Sequence, residues 1–436
     1  MKKIIKNIKD KIISLEKTGF FSIFISNIFS KVIAFLGNIV IVKILSKNDY
    51  GVYSYAINAM TMLYIFNDFG ASTSALQSLT EEKDNKKKQK AILKYALKMG
   101  AIGSLFSGSL ILLSPLFYPY QIIEAKYYTP ILFLIPLFSN VNSFISVFLR
   151  ANLENKKFAI FNFSQTLFNY VFLIILSLKF GIIGAIVSQY CYTILAAIFG
   201  IFLSKKTFGN FKNSSSMSRK EKKDFFKYAL STQLNSTLSS ILLNIDIFLI
   251  GLMLANPASV ATYKVATTIP MALSFLPTCV MVYLIPYFVM NNKNINWLKR
   301  NYIKLIKYGA IVYGIIVFTL CAFSKLIFKL LYGPQYNNAV FAFNILMIGF
   351  FFSATFKIPT NNILYSMRKL KINLIVTISS AIINLILNIV FINKFGMNGA
   401  AITTVLVHIL GSIILVCYVR KILFKKNNVE KKIIKL

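Results

Sequence analysis

Twelve runs of about twenty mostly apolar residues follow one another along this chain, and a helix needs a run of that length to cross a bilayer. They lie near 20–42, 52–79, 92–114, 128–150, 158–178 and 182–204, then 226–254, 260–290, 304–331, 339–364, 372–392 and 397–423. Backbone polar groups in hydrocarbon must be satisfied inside their own segment, so each run is expected to be helical. The gaps are short except for a Lys-, Ser- and Asn-rich linker at 205–225. No soluble domain fits. The expected division is a basic N-terminal stretch 1–19, a first lobe 20–204, the linker 205–225, a second lobe 226–423 and a basic tail 424–436.

The two lobes echo each other. Lys179-Phe180-Gly181-Ile182-Ile183-Gly184-Ala185, between the fifth and sixth runs, returns between the eleventh and twelfth as Lys394-Phe395-Gly396-Met397-Asn398-Gly399-Ala400. Asn169 and Asn384, and Lys156 and Lys371, keep the same offset. Repeats fix a fold before any local feature does, and duplicated halves in a membrane protein point to a transporter. Six runs per half bring the second half into the membrane in the same direction as the first, so the repeat is parallel.

Charge sets the orientation. Lys and Arg number 49 against 13 acidic residues, a net charge of +36. Thirty-eight of the 49 fall on the side that holds both termini, the linker and every second gap, and seven fall on the other side. The positive-inside rule makes the first side cytoplasmic, with both termini there. Anionic headgroups are the expected partners of these charges, and nucleic acid is not. Residues 2–17 place Ile4, Ile5, Ile8, Ile12 and Leu15 at helical spacing among lysines, as in a helix lying on the membrane surface. The first apolar run then serves as an uncleaved anchor. Cys191, Cys279, Cys321 and Cys417 all sit inside apolar runs without metal-ligand spacing, so they read as small buried hydrophobes, with no cofactor expected.

Four lysines lie inside the runs. Lys98 and Lys357 are a few residues from a run's end and can snorkel, the stem in the apolar layer and the ammonium at its edge. Lys264 is close to the outer end of its run. Lys31 is eleven residues from either end of 20–42, ~16 Å of helix, which is beyond the ~6 Å reach of its side chain. A lipid-facing charge at that depth costs at least ~2.5 kcal/mol, so Lys31 is expected to face a hydrated cavity or a partner. Asp246 ends a polar line with Asn235 and Ser239 on one helical face, and three roles stand open for it: ion ligand, gate or salt-bridge partner. The lines Thr377–Asn384–Asn388 and Thr404–His408–Ser412 read as helix–helix hydrogen bonding, with packing preferred over a proton relay for His408. Pro270, Pro277 and Pro286 mark bends in 260–290.

Enzyme is the weaker class. There is no GxxxxGK[ST], HExxH or GxSxG, and the few acids are too scattered for a paired-carboxylate site.

Several segments resemble one known family. Lys43-Ile44-Leu45-Ser46-Lys47-Asn48-Asp49-Tyr50-Gly51-Val52-Tyr53 resembles the LLSxx[DE][YF]Gx[YF] segment of Wzx-type polysaccharide flippases (O-antigen or capsule repeat-unit exporters) in the multidrug/oligosaccharidyl-lipid/polysaccharide (MOP) superfamily. Asp68-Phe69-Gly70 is similar to its DFG segment, Asp246 through Gly251 to its seventh span, and Leu331-Tyr332-Gly333-Pro334-Gln335-Tyr336 to its L[YF]GxxY. The resemblance implies a MATE-like fold of about twelve spans in two parallel six-helix lobes around a central cavity. It implies a non-enzymatic flippase that moves undecaprenyl-pyrophosphate-linked oligosaccharide across the bacterial cytoplasmic membrane, alongside other polysaccharide-assembly proteins. The family tends to cationic cavities, which makes Lys31 and Lys264 the candidate pyrophosphate ligands. Asp68 and Asp246 are the candidate gating or ion-coupling residues. The cation-coupled drug antiporters of the same superfamily are the alternative, and a membrane-embedded glycan-assembly enzyme is a more distant one.

Overall fold

The computed structural model describes residues 20–82, 85–208, 216–292, 294–367 and 369–424. The amphipathic stretch 1–19, the middle of the linker and the tail from 425 lie outside the described residues. Among those described, helices and turns account for the ordered structure and no strand occurs. Contacts group the chain into Met1–Ala261 and Thr262–Leu436, so the seventh apolar run falls with the first six.

In the first unit the helices are α1 Phe20–Ile44, α2 Lys47–Leu63, α3 Ala71–Glu81, α4 Lys86–Leu112, α5 Ser114–Phe117, α6 Ile123–Ile131, α7 Ile135–Ala151, α8 Asn155–Phe208 and α9 Arg219–Leu254. Local chemistry sets their ends. Ser46 caps α2, its Oγ accepting from the Asp49 N–H at 3.0 Å and donating to the Asp49 carboxylate at 2.7 Å. A capping box starts α9: the Glu221 N–H donates to Ser218 Oγ and the Ser218 N–H to the Glu221 carboxylate. α1 and α7 both pack along α8. Alanines such as Ala71, Ala75, Ala96 and Ala229 bring α3, α4, α7 and the start of α9 together around Phe144 and Phe148. Small residues allow such close approach where lipid supplies no hydrophobic drive between helices.

Two spans of this unit are broken. The second run becomes α2, a short 3-10 turn Tyr64–Phe66, and α3, with Phe69 (φ 49°) and Gly70 (φ 77°) turning the chain between them. A Cβ at Gly70 would lie 2.0 Å from the Ala229 carbonyl oxygen, so the break and the approach of α9 both require glycine there. The fourth run divides into α6 and α7, which meet at 53°. Pro136 in the first turn of α7 lacks an N–H to continue the ladder. Tyr190 repairs the gap, its hydroxyl donating to the Ile131 carbonyl and accepting from the Leu134 N–H. An unsatisfied backbone group in hydrocarbon costs several kcal/mol, which makes this cap a requirement of the bend.

The second unit contains α10 Pro257–Leu273, whose first turn belongs to the first unit, α11 Phe275–Met290, α12 Ile295–Ala322, α13 Ser324–Leu331, α14 Ala339–Phe352, α15 Ile358–Ser366, α16 Leu370–Phe395 and α17 Met397–Phe424. Its core joins α11, α12, α15, α16 and α17 through residues such as Met281, Phe288, Tyr302, Leu364 and Leu415. Pro277 removes the N–H that would bond the Leu273 carbonyl, and the eighth run parts at Ser274 into α10 and α11.

The repeated heptamers take one conformation. Gly181 has φ 56°, ψ −135° and Gly396 has φ 58°, ψ −141°, a region open to glycine and strained for any L side chain. Three residues on, a Cβ at Gly184 would lie 1.9 Å from the Leu176 carbonyl oxygen, and one at Gly399 would lie 2.0 Å from that of Phe391. One glycine reverses the chain, and the other lets the returning helix touch the departing one.

Nine helices among the described residues are long and apolar enough to cross a membrane, ten if the bent pair is one crossing. The sequence count of twelve differs for two local reasons. The range of α8 covers two helices, the fifth and sixth spans, which meet at the non-helical Gly181 without a gap and so count once, and the break at Gly70 leaves the second span in pieces too short to qualify alone. Exposed Leu, Ile and Phe side chains such as Leu36, Leu105, Ile315 and Phe318 cover the helices in both units, the surface expected of a chain solvated by lipid.

Candidate functional site

α1 has two exposed faces of opposite character. Ile25, Phe29, Val32, Leu36 and Val40 form an apolar stripe. Asn27, Lys31 and the half-buried Asn38 form a polar one at i, i+4 and i+11, on the opposite side of the helix. Between them an edge with Ser26, Ser30, Gly37 and Ile41 is buried against α8, where Ser26 Oγ donates to the Ala159 carbonyl at 2.7 Å. The polar stripe continues onto α8 through Asn162, whose amide donates to Asn27 Oδ1 at 3.1 Å, and onto α2 through Tyr50, whose hydroxyl donates to Asn38 Oδ1 at 3.4 Å. Lys31 is exposed on this stripe, and among the described residues nothing bonds to its ammonium.

Polar groups also fill the interior beside α2. The Gln189 amide donates to the Tyr53 hydroxyl at 2.9 Å, close to Tyr50, Tyr170 and Tyr192. Asn58 donates to the Asn244 carbonyl at 3.0 Å and ties α2 to α9. Asp246, two residues on, is half-buried and has an interaction of its own. The side chains of Asn235 and Ser239 lie outside the described residues. Asp68 is buried and fully engaged: its Oδ1 accepts from the Gly70 N–H at 2.9 Å and its Oδ2 from the Ser72 N–H at 3.0 Å. It caps α3 at the break, where the helix N-terminus favours a carboxylate.

In the second unit Lys264 is half-buried on α10, next in the chain to the buried Tyr263, Val265 and Ala266. Its carbonyl accepts from Thr267 and Thr268 Oγ1, and among the described residues its ammonium has no partner. Lys31, Asp68 and Asp246 thus belong to one unit and Lys264 to the other.

One lysine differs from the snorkelling expected of it. Lys357 ends a π-helical turn, Ser353–Lys357, just before Pro359. That proline frees a carbonyl of the preceding turn, and the wider turn accommodates the loss. Lys357 Nζ lies 3.3 Å from His408 Nδ1, near the middle of α17. An ammonium can only donate, so with Lys357 charged His408 is neutral and carries its proton on Nε2. The Ser412 hydroxyl donates to the His408 carbonyl at 2.7 Å and closes the cluster. Residues 357 and 408 are on different helices, and no local spacing signals their meeting. Lys98 lines a cavity in the first unit with Lys94 and Lys222.

Comparison with known proteins agrees with this architecture. The family model for polysaccharide biosynthesis proteins matches residues 17–292. An uncharacterized membrane protein of Methanocaldococcus jannaschii is 29% identical over 271 residues, 58% of this chain and 51% of that protein, so the chain spans about half the length of the curated relative it matches. Among solved structures, an inward-facing MATE-family multidrug resistance transporter of the MOP superfamily aligns with TM-score 0.73 and 16% identity over 91% of this chain and 96% of its own. The lipid II flippase MurJ in an inward closed conformation aligns equally well, TM-score 0.73 and 17% identity, over 91% and 87%. A MOP superfamily transporter from Pyrococcus furiosus gives 0.61 and 15% over 93% and 95%. With the turns at Gly181 and Gly396 and the all-helical membrane architecture, these matches make the chain a multi-pass membrane protein of the MOP fold that belongs to the polysaccharide biosynthesis protein family.

Proposed function

We propose that the protein is a flippase that carries undecaprenyl-pyrophosphate-linked oligosaccharide repeat units from the cytoplasmic to the outer leaflet by alternating access. The observation that carries this reading is Lys31: an ammonium in mid-helix with no bonding partner among the described residues, on a polar face turned away from the apolar one. A pyrophosphate is a fitting anion for it, since its oxygens take up the charge and the three N–H donors together. Lys264 offers a second ammonium of the same kind. Asp246 is assigned to ion coupling, and Asp68 to holding the bend of the second span. Membership of the polysaccharide biosynthesis family supports a lipid-linked sugar over a soluble solute, and the fold, shared equally with a lipid II flippase and a multidrug transporter, is compatible with it. No covalent step is required of the protein.

Deleting the gene and assaying lipid-linked intermediates tests the reading. A flippase leaves the complete intermediate accumulated in the inner leaflet and the surface glycan lost. Drug sensitivity with normal glycan would instead identify an amphiphile antiporter, and a missing or shortened intermediate an assembly enzyme.

A further inference from the structure

The first unit holds a cavity of about 620 Å³ that the flippase reading does not use. One wall is a single face of α4 with Lys94, Tyr95, Lys98 and Ile102; the other is Lys222 and Phe226 at the start of α9, and Phe69 of the broken second span reaches it as well. Lys94 and Lys98 are one turn apart, and Lys222 Nζ stands 5.9 Å from the centre of the Tyr95 ring. Among the described residues no acid lines the cavity. Among the described residues no hydrogen bond or ion pair is made by the ammonium of Lys94, Lys98 or Lys222.

The acids of this region lie elsewhere. Glu81, Glu82, Glu221 and Asp224 border a neighbouring cavity, and Met217 lines both. There Lys88 bridges Glu82 at 2.7 Å and Glu221 at 3.1 Å. α9 therefore turns Glu221 and Asp224 one way and Lys222 the other. Snorkelling accounts for a lysine at the edge of the apolar layer, but not for three that share one cavity from which the nearby acids are kept. Past Lys98, α4 continues as an exposed apolar track of Ile102, Leu105 and Phe106, and Phe226 is exposed at the cavity's rim.

We propose that this cavity is a binding site for a lipid with a net-anionic phosphate headgroup, with the phosphate among Lys94, Lys98 and Lys222 and the hydrocarbon chain along Ile102 and Phe106. Basic pockets between membrane helices recognise anionic headgroups by charge and hydrogen bonds, and the apolar track gives the chain a place within the same ligand. The site requires only the contacts described, so it stands whether or not the flippase reading does. Both a membrane phospholipid and a polyprenyl phosphate carrier have this chemistry.

The full-length protein in neutral detergent is titrated with phosphatidylglycerol, phosphatidylcholine and undecaprenyl phosphate, and bound lipid is counted by native mass spectrometry. The expected result is a first site that prefers the phosphate-headed anions over phosphatidylcholine. In Lys94→Gln/Lys98→Gln/Lys222→Gln its affinity falls on the order of tenfold to a hundredfold, given three contacts at the strength usual for basic residues near anionic lipid. The matching triple Arg variant retains binding, and Lys299→Gln/Lys304→Gln/Lys307→Gln, which removes equal charge elsewhere, leaves it unchanged. Tighter binding of undecaprenyl phosphate assigns the site to the carrier lipid, and tighter phosphatidylglycerol to the bilayer. Equal binding of phosphatidylcholine, or equal losses in the two Gln triples, overturns the site. So does a well-folded Gln triple, monodisperse and melting as the wild type does, that keeps its affinity.

Discussion

Lys31 and Lys357 are both lysines within apolar helices, and the molecule treats them differently. Lys31 stands exposed on a polar stripe with no bonding partner among the described residues, while Lys357 is drawn inward onto His408 at 3.3 Å. Both are a cost in hydrocarbon. The imidazole and the widened turn offset it for Lys357, so that lysine is explained by its own unit. Among the described residues nothing bonds to the Lys31 ammonium, which is why Lys31 is the one proposed to meet a ligand. Depth along a helix therefore does not separate the two lysines; an internal partner does.

The comparison breaks most visibly in transport. Lys31→Ala should lose glycan export at normal membrane levels, Lys31→Arg should keep part of it, and Lys31→Glu should export nothing, as read by surface glycan against immunoblotted protein. Normal export by Lys31→Ala would put both lysines in the structural class.

The next effect is on stability and belongs to the paired lysine. His408→Leu leaves a half-buried ammonium without its acceptor, and thermal unfolding in detergent should show a loss of about 2–3 kcal/mol. Lys357→Met, which keeps the stem, should cost about 1 kcal/mol. The double variant should lose less than the sum of the two, because the pair acts as a unit. Lys31→Ala should leave the melting unchanged. A Lys31→Ala loss as large as that of His408→Leu would erase the distinction.

The two glycine turns provide a control in which the halves should agree. Gly181→Ala and Gly396→Ala each force a side chain to positive φ and should cost a similar ~1–3 kcal/mol. Unequal losses would mean that the repeat has diverged in its energetics as well as its side chains.

The smallest perturbation concerns sidedness. In a background without the four native cysteines, single cysteines at Asn48 and Asn337 should react with an impermeant thiol reagent outside intact cells, and those at Asn85, Asn294 and Lys369 should be shielded. All five positions are exposed, so burial does not confuse the readout. Labelling of the second set would invert the orientation inferred from the charge asymmetry, and with it the leaflet from which Lys31 is reached.

Properties that depend on neighbours in the chain were settled by the sequence alone. Apolar length determined the helical membrane class, because a backbone in lipid has no other way to satisfy its N–H and C=O groups. The heptamers announced the turns at Gly181 and Gly396, since glycine is the residue that reaches those angles. Lys31's depth was a matter of counting at 1.5 Å per residue. The rest depended on which helices meet. Asp68 reads in the sequence as a possible ion-coupling acid, and only the turn at Phe69–Gly70 makes it the cap of α3. Tyr190 is an ordinary aromatic residue until the break near Leu132 needs both a donor and an acceptor. Lys357 and His408 are 51 positions apart, and Lys94 and Lys222 are more distant still. Hydropathy and helical period describe one segment at a time, whereas a partner for a buried charge comes from the packing of several, and that packing exists only in the folded chain.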